Sequence, residues 1–308
     1  MKAVQQTSRQ HLVSQVVLKE FTLLNGSSGR QLLAFDLQYP ERPPRLRPPS
    51  RCGLARDFVA FDSASAEQLW GRIEERVPAA LAAVRKGTPF TVAAHAEVLR
   101  DLVVLHYVRS YKYRNVHLAA FERTRASVSA RVAARLPQQL ARAALLETGL
   151  HLTERGALMA YAEREVARSE MVRDHESGKL FRTSIEDTFS KVQKMASTWR
   201  VEILTPELGH QFLIGDNPGL TVRRNAHGGL DHGMAFGDAT SMVLPVGPRC
   251  LVALGPDNLT GTLAASAVKA LNRRQVLAAE RHVYMHPHSA LKSFVVTAAQ
   301  GRPASPDM

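Results

Sequence analysis

The segment from Trp199 to Gly219, WRVEILTPELGHQFLIGDNPG, constrains the fold most, because two apolar runs lead into a polar tip with little backbone freedom. Trp199, Val201 and Ile203 alternate with more polar neighbours, as do Phe212 and Ile214, and Pro206 with Gly209 supplies turn chemistry between them. The pattern predicts a β-hairpin. At the tip, Gly215-Asp216-Asn217-Pro218-Gly219, Pro218 cannot donate to a strand ladder and turns Asn217 away from helix. Asp216 and Asn217 carry side chains suited to bonding backbone amides ahead of them. A carboxylate and an amide are thus held in a stiff loop. That suits a functional site and an ordinary Asx turn equally.

With 308 residues the chain can bury a sizeable core in one large domain or two, and 45% apolar with 22% charged residues is a globular balance rather than a disordered one. No apolar run reaches the roughly 18 residues that span a bilayer, and the start, MKAVQQTSRQHLVSQ, has no unbroken apolar signal core. A cytoplasmic protein without membrane contact is expected. Cys52 and Cys250 have no CxxC spacing, which argues against a disulfide scaffold or a cysteine zinc site. An excess of 40 Lys+Arg over 28 Asp+Glu, formally +12, favours contact with nucleic acid or nucleotide. The same excess follows from an Arg- and Ala-rich composition in which arginine stems cover apolar area, so charge alone leaves both explanations open.

In chain order, Gln10 to Leu18 suggests a short helix with His11 and Gln15 four apart on one face. Phe21 to Leu24, the loop Asn25 to Gly29 and Gln31 to Leu37 predict a hairpin. From Tyr39 to Arg56, five prolines and five arginines predict an extended basic segment, read as a loop over the sheet edge in preference to a phosphate contact. Asp57 to Asp62 reads as a strand. A helix follows from Ser63 or Ser65 to Lys86-Gly87, kinked at Pro78 and carrying Glu74 and Glu75 on its wet edge. From Thr91, Val98, Leu102, Leu105 and Val108 trace another helix, which sets His106 and Arg109 on one face. Further helix is expected over Ala119 to Leu146, Leu158 to Val172 and Ile185 to Ala196.

Beyond the tip, His227, Asp231 and His232 resemble metal ligands, but their loose spacing favours a hydrated loop. Strands at Met242 to Pro245 and Leu251 to Leu254, a helix over Thr262 to Ala279, strands at Val283 to His286 and Phe294 to Thr297, and a frayed tail complete the pattern. P-loop, GxGxxG, GxSxG and HExxH signatures are absent. The reading is an α+β fold. A mixed, mostly antiparallel sheet comes from N- and C-terminal strands (1–62 and 199–300), a helical block (63–198) is inserted, and 301–308 is a tail.

Three stretches carry a resemblance: HLVSQVVLKEF from His11, QFLIGDNPG from Gln211, and MVLPVGPRCLVAL with ALNRRQVLAAERHVY ending at Tyr284. In order and over nearly the whole chain they resemble the bacterial family called domain of unknown function 4238. Here Leu12 stands for its aromatic, Ser14 for its proline and Gly215 for its serine. The resemblance maps the family's polar positions onto His11, Gln15, Glu74, Arg109, Asp216 and Asn217. It implies an arrangement without naming a reaction, and a weak genomic association with defence or toxin settings. One functional reading is a hydrolase of phosphodiester or nucleotide bonds. In it His11, Glu74 and Asp216 are catalytic, Gln15, Arg109 and Asn217 bind substrate, and Glu74 with Asp216 holds Mg2+ or Mn2+. The alternative is a non-catalytic module, binding nucleic acid or a protein partner, in which these residues form a buried polar network.

Overall fold

The computed structural model describes residues 9–24, 26, 29–226 and 229–302. Asn25, Ser27, Ser28, His227 and the tail from Pro303, all within segments singled out above, lie outside them. The fold is α+β, and a strand from near each end of the chain meets inside one sheet. After β1 (Arg9–His11), α1 (Gln15–Glu20) and β2 (Leu23–Leu24), β3 (Arg30–Asp36) pairs antiparallel with β2, with β4 (Arg45–Arg47) and with β13 (His282–Met285). The other edge of β13 takes β7 (Ile214–Gly215). The basic proline-rich segment thus covers β3 through β4, makes a short turn at Pro49–Arg51, and ends as β5 (Leu54–Arg56), which forms a separate ribbon with β1.

The second sheet is built from β6 (Arg200–Pro206), β8 (Leu220–Arg224), β9 (Leu230–His232), β10 (Ser241–Gly247), β11 (Cys250–Gly255) and β12 (Leu259–Leu263), in the order β12-β6-β11-β10-β8-β9. The expected hairpin between the Trp199 and Phe212 runs does not form. Both edges of β6 are occupied, by β11 antiparallel and β12 parallel, and β7 joins the other sheet. Helix α10 (Ala265–Ala278) directs that crossing: Asn272 Oδ1 accepts from Leu213 N–H, Asn272 Nδ2 donates to Gln211 O, and Gln275 Oε1 accepts from Gly215 N–H. Three other expectations fail locally. His11 ends a strand rather than sharing a helix face with Gln15. The run 57–62 is bent at Asp57 (φ 46°) and Asp62 (φ 44°). Residues 294–297 lie in α11 (Lys292–Ala299), whose buried Val295, Ala298 and Ala299 recur at helical spacing, a period that a four-residue run is too short to show.

Helices α2 (Ser63–Glu74), α3 (Val77–Arg85) and α4 (Ala93–Val108) follow the ribbon. The expected kink at Pro78 is a full break, with proline placed in the first turn of α3, where its missing N–H is no loss. The long helical stretch continues as α5 (Tyr111–Arg135), α6 (Pro137–Thr148), α7 (Arg155–Ala167), α8 (Glu170–Glu176) and α9 (Lys179–Ala196).

The described residues cluster into two compact units, one drawn from 59–63 and 112–184, the other from 9–58, 64–111 and 185–302. This boundary leaves α2 to α4 with the sheets rather than with the helical block. The helical unit packs Leu140, Ala144, Tyr161 and Ala162, and Glu147 gathers Tyr161, Arg164 and Arg168. The sheet unit has one core around Phe35, Leu213, Val276, Val283 and Val295 and another around Phe212, Leu220, Val243, Leu251 and Val268. None of the described helices is long and apolar enough to cross a membrane.

Candidate functional site

Three elements of the sheet unit bring charged groups together in its interior. On α2, Glu67, Trp70 and Glu74 stand three and four residues apart and therefore share a face. On α4, His106 lies in the last turn and Arg109 caps the end. From the N-terminal segment, His11 ends β1 and Ser14 precedes α1. Arg109 Nη2 donates to Glu74 Oε1 at 2.6 Å, with the arginine side chain 1% and the glutamate 24% exposed. The guanidinium carbon lies 5.0 Å from the centre of the Trp70 ring, a cation–π contact that holds the fork in place.

Around this one cation the titratable groups are driven apart. Burial raises the Glu67 carboxyl, and Arg109 only partly offsets it. Burial also opposes ionisation of Glu74, but the Arg109 charge and hydrogen bond prevail and hold it below the usual carboxylate range. Burial and then Arg109 lower His11, which stays neutral at pH 7, bonds the Ser50 backbone, and leaves Nε2 buried without a partner. Glu67 Oε1 and Arg109 Nε are likewise buried and unpartnered. His106, fully buried, is depressed to about 4 by burial and by Arg109. Its Nε2 accepts from Ser14 N–H at 3.1 Å, so the proton sits on Nδ1, donated to Leu102 O at 2.8 Å.

Asp216 and Asn217 have different partners. The Asp216 carboxylate accepts from the amides of Glu280, Arg281 and His282 at 2.6, 2.9 and 2.8 Å, which ties the end of β7 to the turn between α10 and β13. Burial pushes this carboxyl up to about 6 against the pull of the three amides, so it is ionised at pH 7. Asn217 accepts from Tyr111 N–H and donates to Ala278 O. Gln15 opens α1 half-buried and makes no hydrogen bond to a described residue. The structure thus brings His11, Glu74 and Arg109 together and uses Asp216 and Asn217 to tie the tip to the backbone of distant segments, not to close a local Asx turn.

The donors available do not fit an Mg2+ or Mn2+ ion shared by Glu74 and Asp216. One Glu74 oxygen is held by Arg109 and both Asp216 oxygens by amides, and among the described residues no three His, Cys, Asp or Glu side chains gather as a metal set. Asp231 accepts from Asn225 on the same hairpin, and its expected companion His227 lies outside the described residues. Two residues of the cluster have no place in the site read from sequence: Glu67, and His106, which is read beside Arg109 without a role. The signals for them are the E-x-x-W-x-x-x-E face of α2 and the H-x-x-R end of α4.

No curated protein and no solved structure matches the chain. The family described as Protein of unknown function (DUF4238) matches residues 9–289, nearly the whole length, and the chain belongs to that family.

Proposed function

We propose that the protein is a hydrolase of phosphoester bonds, with its acid–base centre at His11, Glu67, Glu74 and Arg109. The observation that carries this reading is the pair of carboxylates on one helix face whose protonation is pushed in opposite directions around a single buried guanidinium. Divergent carboxyls beside a neutral imidazole are what acid and base roles require at one pH. His11 Nε2 takes the proton of an attacking water, and Glu67, whose acid form burial favours, gives one to the leaving oxygen. Arg109 is a positioning residue: it orients Glu74, and its charge adds to burial in keeping His11 neutral while Glu74 pulls the other way. The reading tolerates no loss of the imidazole. His11→Asn and Glu67→Gln are expected to lower kcat about 10²- to 10⁴-fold on an activated phosphodiester and on DNA or RNA while melting near the wild-type temperature. The acid limb of the wild-type rate profile should fall below pH 6.5, because the His11 pKa is lowered. Wild type inert on every phosphodiester, or His11→Asn cleaving at the wild-type rate, overturns it.

The roles of Asp216 and Asn217 favour a second reading, in which the whole cluster is structural and the protein binds without catalysing. In that case the His11 and Glu67 variants change stability and no turnover appears.

A further inference from the structure

The ribbon that carries His11 also carries Arg9 and Arg56, and the short turn before β5 carries Arg51. In the β1–β5 register Arg9 stands directly opposite Arg56 and both are exposed, while Gln10 and Ala55 turn inward and are buried; His11, opposite Leu54, is only partly exposed and keeps its Nε2 buried. Like charges directly across a ladder cost stability. Arg51, in the short turn before β5, joins them, and the residue before it, Ser50, bonds the His11 ring. Arg9, Arg51, Leu54, Ala55 and Arg56 line a cleft of about 490 Å³ with no carboxylate among them. None of the three arginines makes an ion pair with a described residue, whereas Arg85, Arg109, Arg164, Arg168 and Arg281 all do. A volume of this order suits a ligand of nucleotide size. Guanidinium groups grip phosphate oxygens two at a time and tolerate each other only with an anion between them.

We infer that this cleft is the binding site for the sugar-phosphate backbone of a single nucleic-acid strand, held by Arg9, Arg51 and Arg56 so that one phosphate lies next to His11. The inference deepens the proposed hydrolase reading and rests on it for the role of that phosphate. A strand is favoured over a free phosphate because the cleft, at about 490 Å³, exceeds what one phosphate fills and is lined by Leu54 and Ala55 as well as by the arginines. Leu54 between them offers an apolar floor for a sugar or base.

The test is a titration of fluorescein-labelled single-stranded DNA and RNA oligonucleotides, read by polarisation across a salt series. It compares wild type, the triple variant Arg9→Ala/Arg51→Ala/Arg56→Ala, and a charge-matched control, Arg123→Ala/Arg131→Ala/Arg135→Ala on α5. Each released phosphate contact contributes about 0.7 to the single-strand salt slope. The triple variant should therefore bind at least tenfold more weakly with a slope lower by about two, while the α5 control binds as wild type. Equal weakening in both variants, unchanged binding by the ribbon variant, or no binding by wild type overturns the inference. So does ribbon-dependent binding of inorganic pyrophosphate as tight as that of the strand. Cleavage by wild type with ribbon-independent binding sinks the cleft and spares the hydrolase. Ribbon-dependent binding without cleavage sinks the hydrolase and spares the cleft.

Discussion

Asp216 shows how a residue picked out by its neighbours in sequence acquires its role only from distant partners. D-N-P-G announces a carboxylate held near backbone amides, and that much is legible in the sequence. That the amides belong to residues 280–282 is not, because nothing local indicates which turn the loop will meet. Asp216→Ala strips three buried amides of their acceptor and is expected to cost about 2–4 kcal/mol in urea unfolding, at roughly 1–3 kcal/mol per orphaned group with partial relaxation. Asp216→Asn, retaining one acceptor oxygen, should cost clearly less. A variant that unfolds normally but is inert would instead place Asp216 in the chemistry. Glu67 illustrates the opposite case. Its place in the first turns of a helix reads as a dipole partner, and only its burial, which Arg109 partly offsets, sets it apart from an ordinary surface glutamate.

Elements with long periodic patterns are legible and short ones are not. The helices around Leu102, Leu140, Ile185 and Leu271 fall where the spacing of apolar residues puts them, and β10 and β11 follow from Gly247-Pro248 between two apolar runs. The Trp199–Ile214 hairpin fails because sheet membership is decided by α10, whose Asn272 and Gln275 read as ordinary polar helix positions until the crossing backbone is laid against them. The tip then packs on α4: a Cβ on Gly219 would lie 2.7 Å from both the His106 carbonyl carbon and the Tyr107 nitrogen. Since backbone on both sides must shift to admit it, Gly219→Ala should destabilise by about 1–3 kcal/mol. Gly237→Ala, where an added Cβ meets nothing within 4 Å, should melt near the wild-type temperature. Equal melting of the two would mean that the tip does not press on α4.

At the scale of the whole molecule, acid should find the fold through His106. A folded-state pKa of about 4, against 6.5 for the free side chain, means that the unfolded chain binds a proton the native one refuses. The stability contributed by the neutral imidazole is complete above pH 6.5 and disappears as pH falls toward 4, by up to about 3 kcal/mol at 1.36 kcal/mol per pH unit. Urea midpoints measured from pH 7.5 to 4 should fall more steeply for wild type than for His106→Gln, whose amide oxygen still accepts from Ser14 but does not titrate. Parallel curves would remove His106 as the acid-sensitive group. The positive excess in the sequence belongs to the same scale. It names no address, whereas the ribbon register sets two of those cations, Arg9 and Arg56, across from each other, where the proposed strand would lie.

The insertion of β13 between β3 and β7 has a consequence for synthesis. On the ribosome, β3 emerges some 250 residues before the strand that completes its hydrogen bonding, and loop closure over such a span is slow. The nascent chain therefore carries an unsealed edge until β13 is made, because β4 covers the opposite edge of β3. A protein so assembled relies on a strand made some 250 residues later to complete the sheet around β3, and truncating it just short of His282 should give insoluble material rather than a smaller folded body.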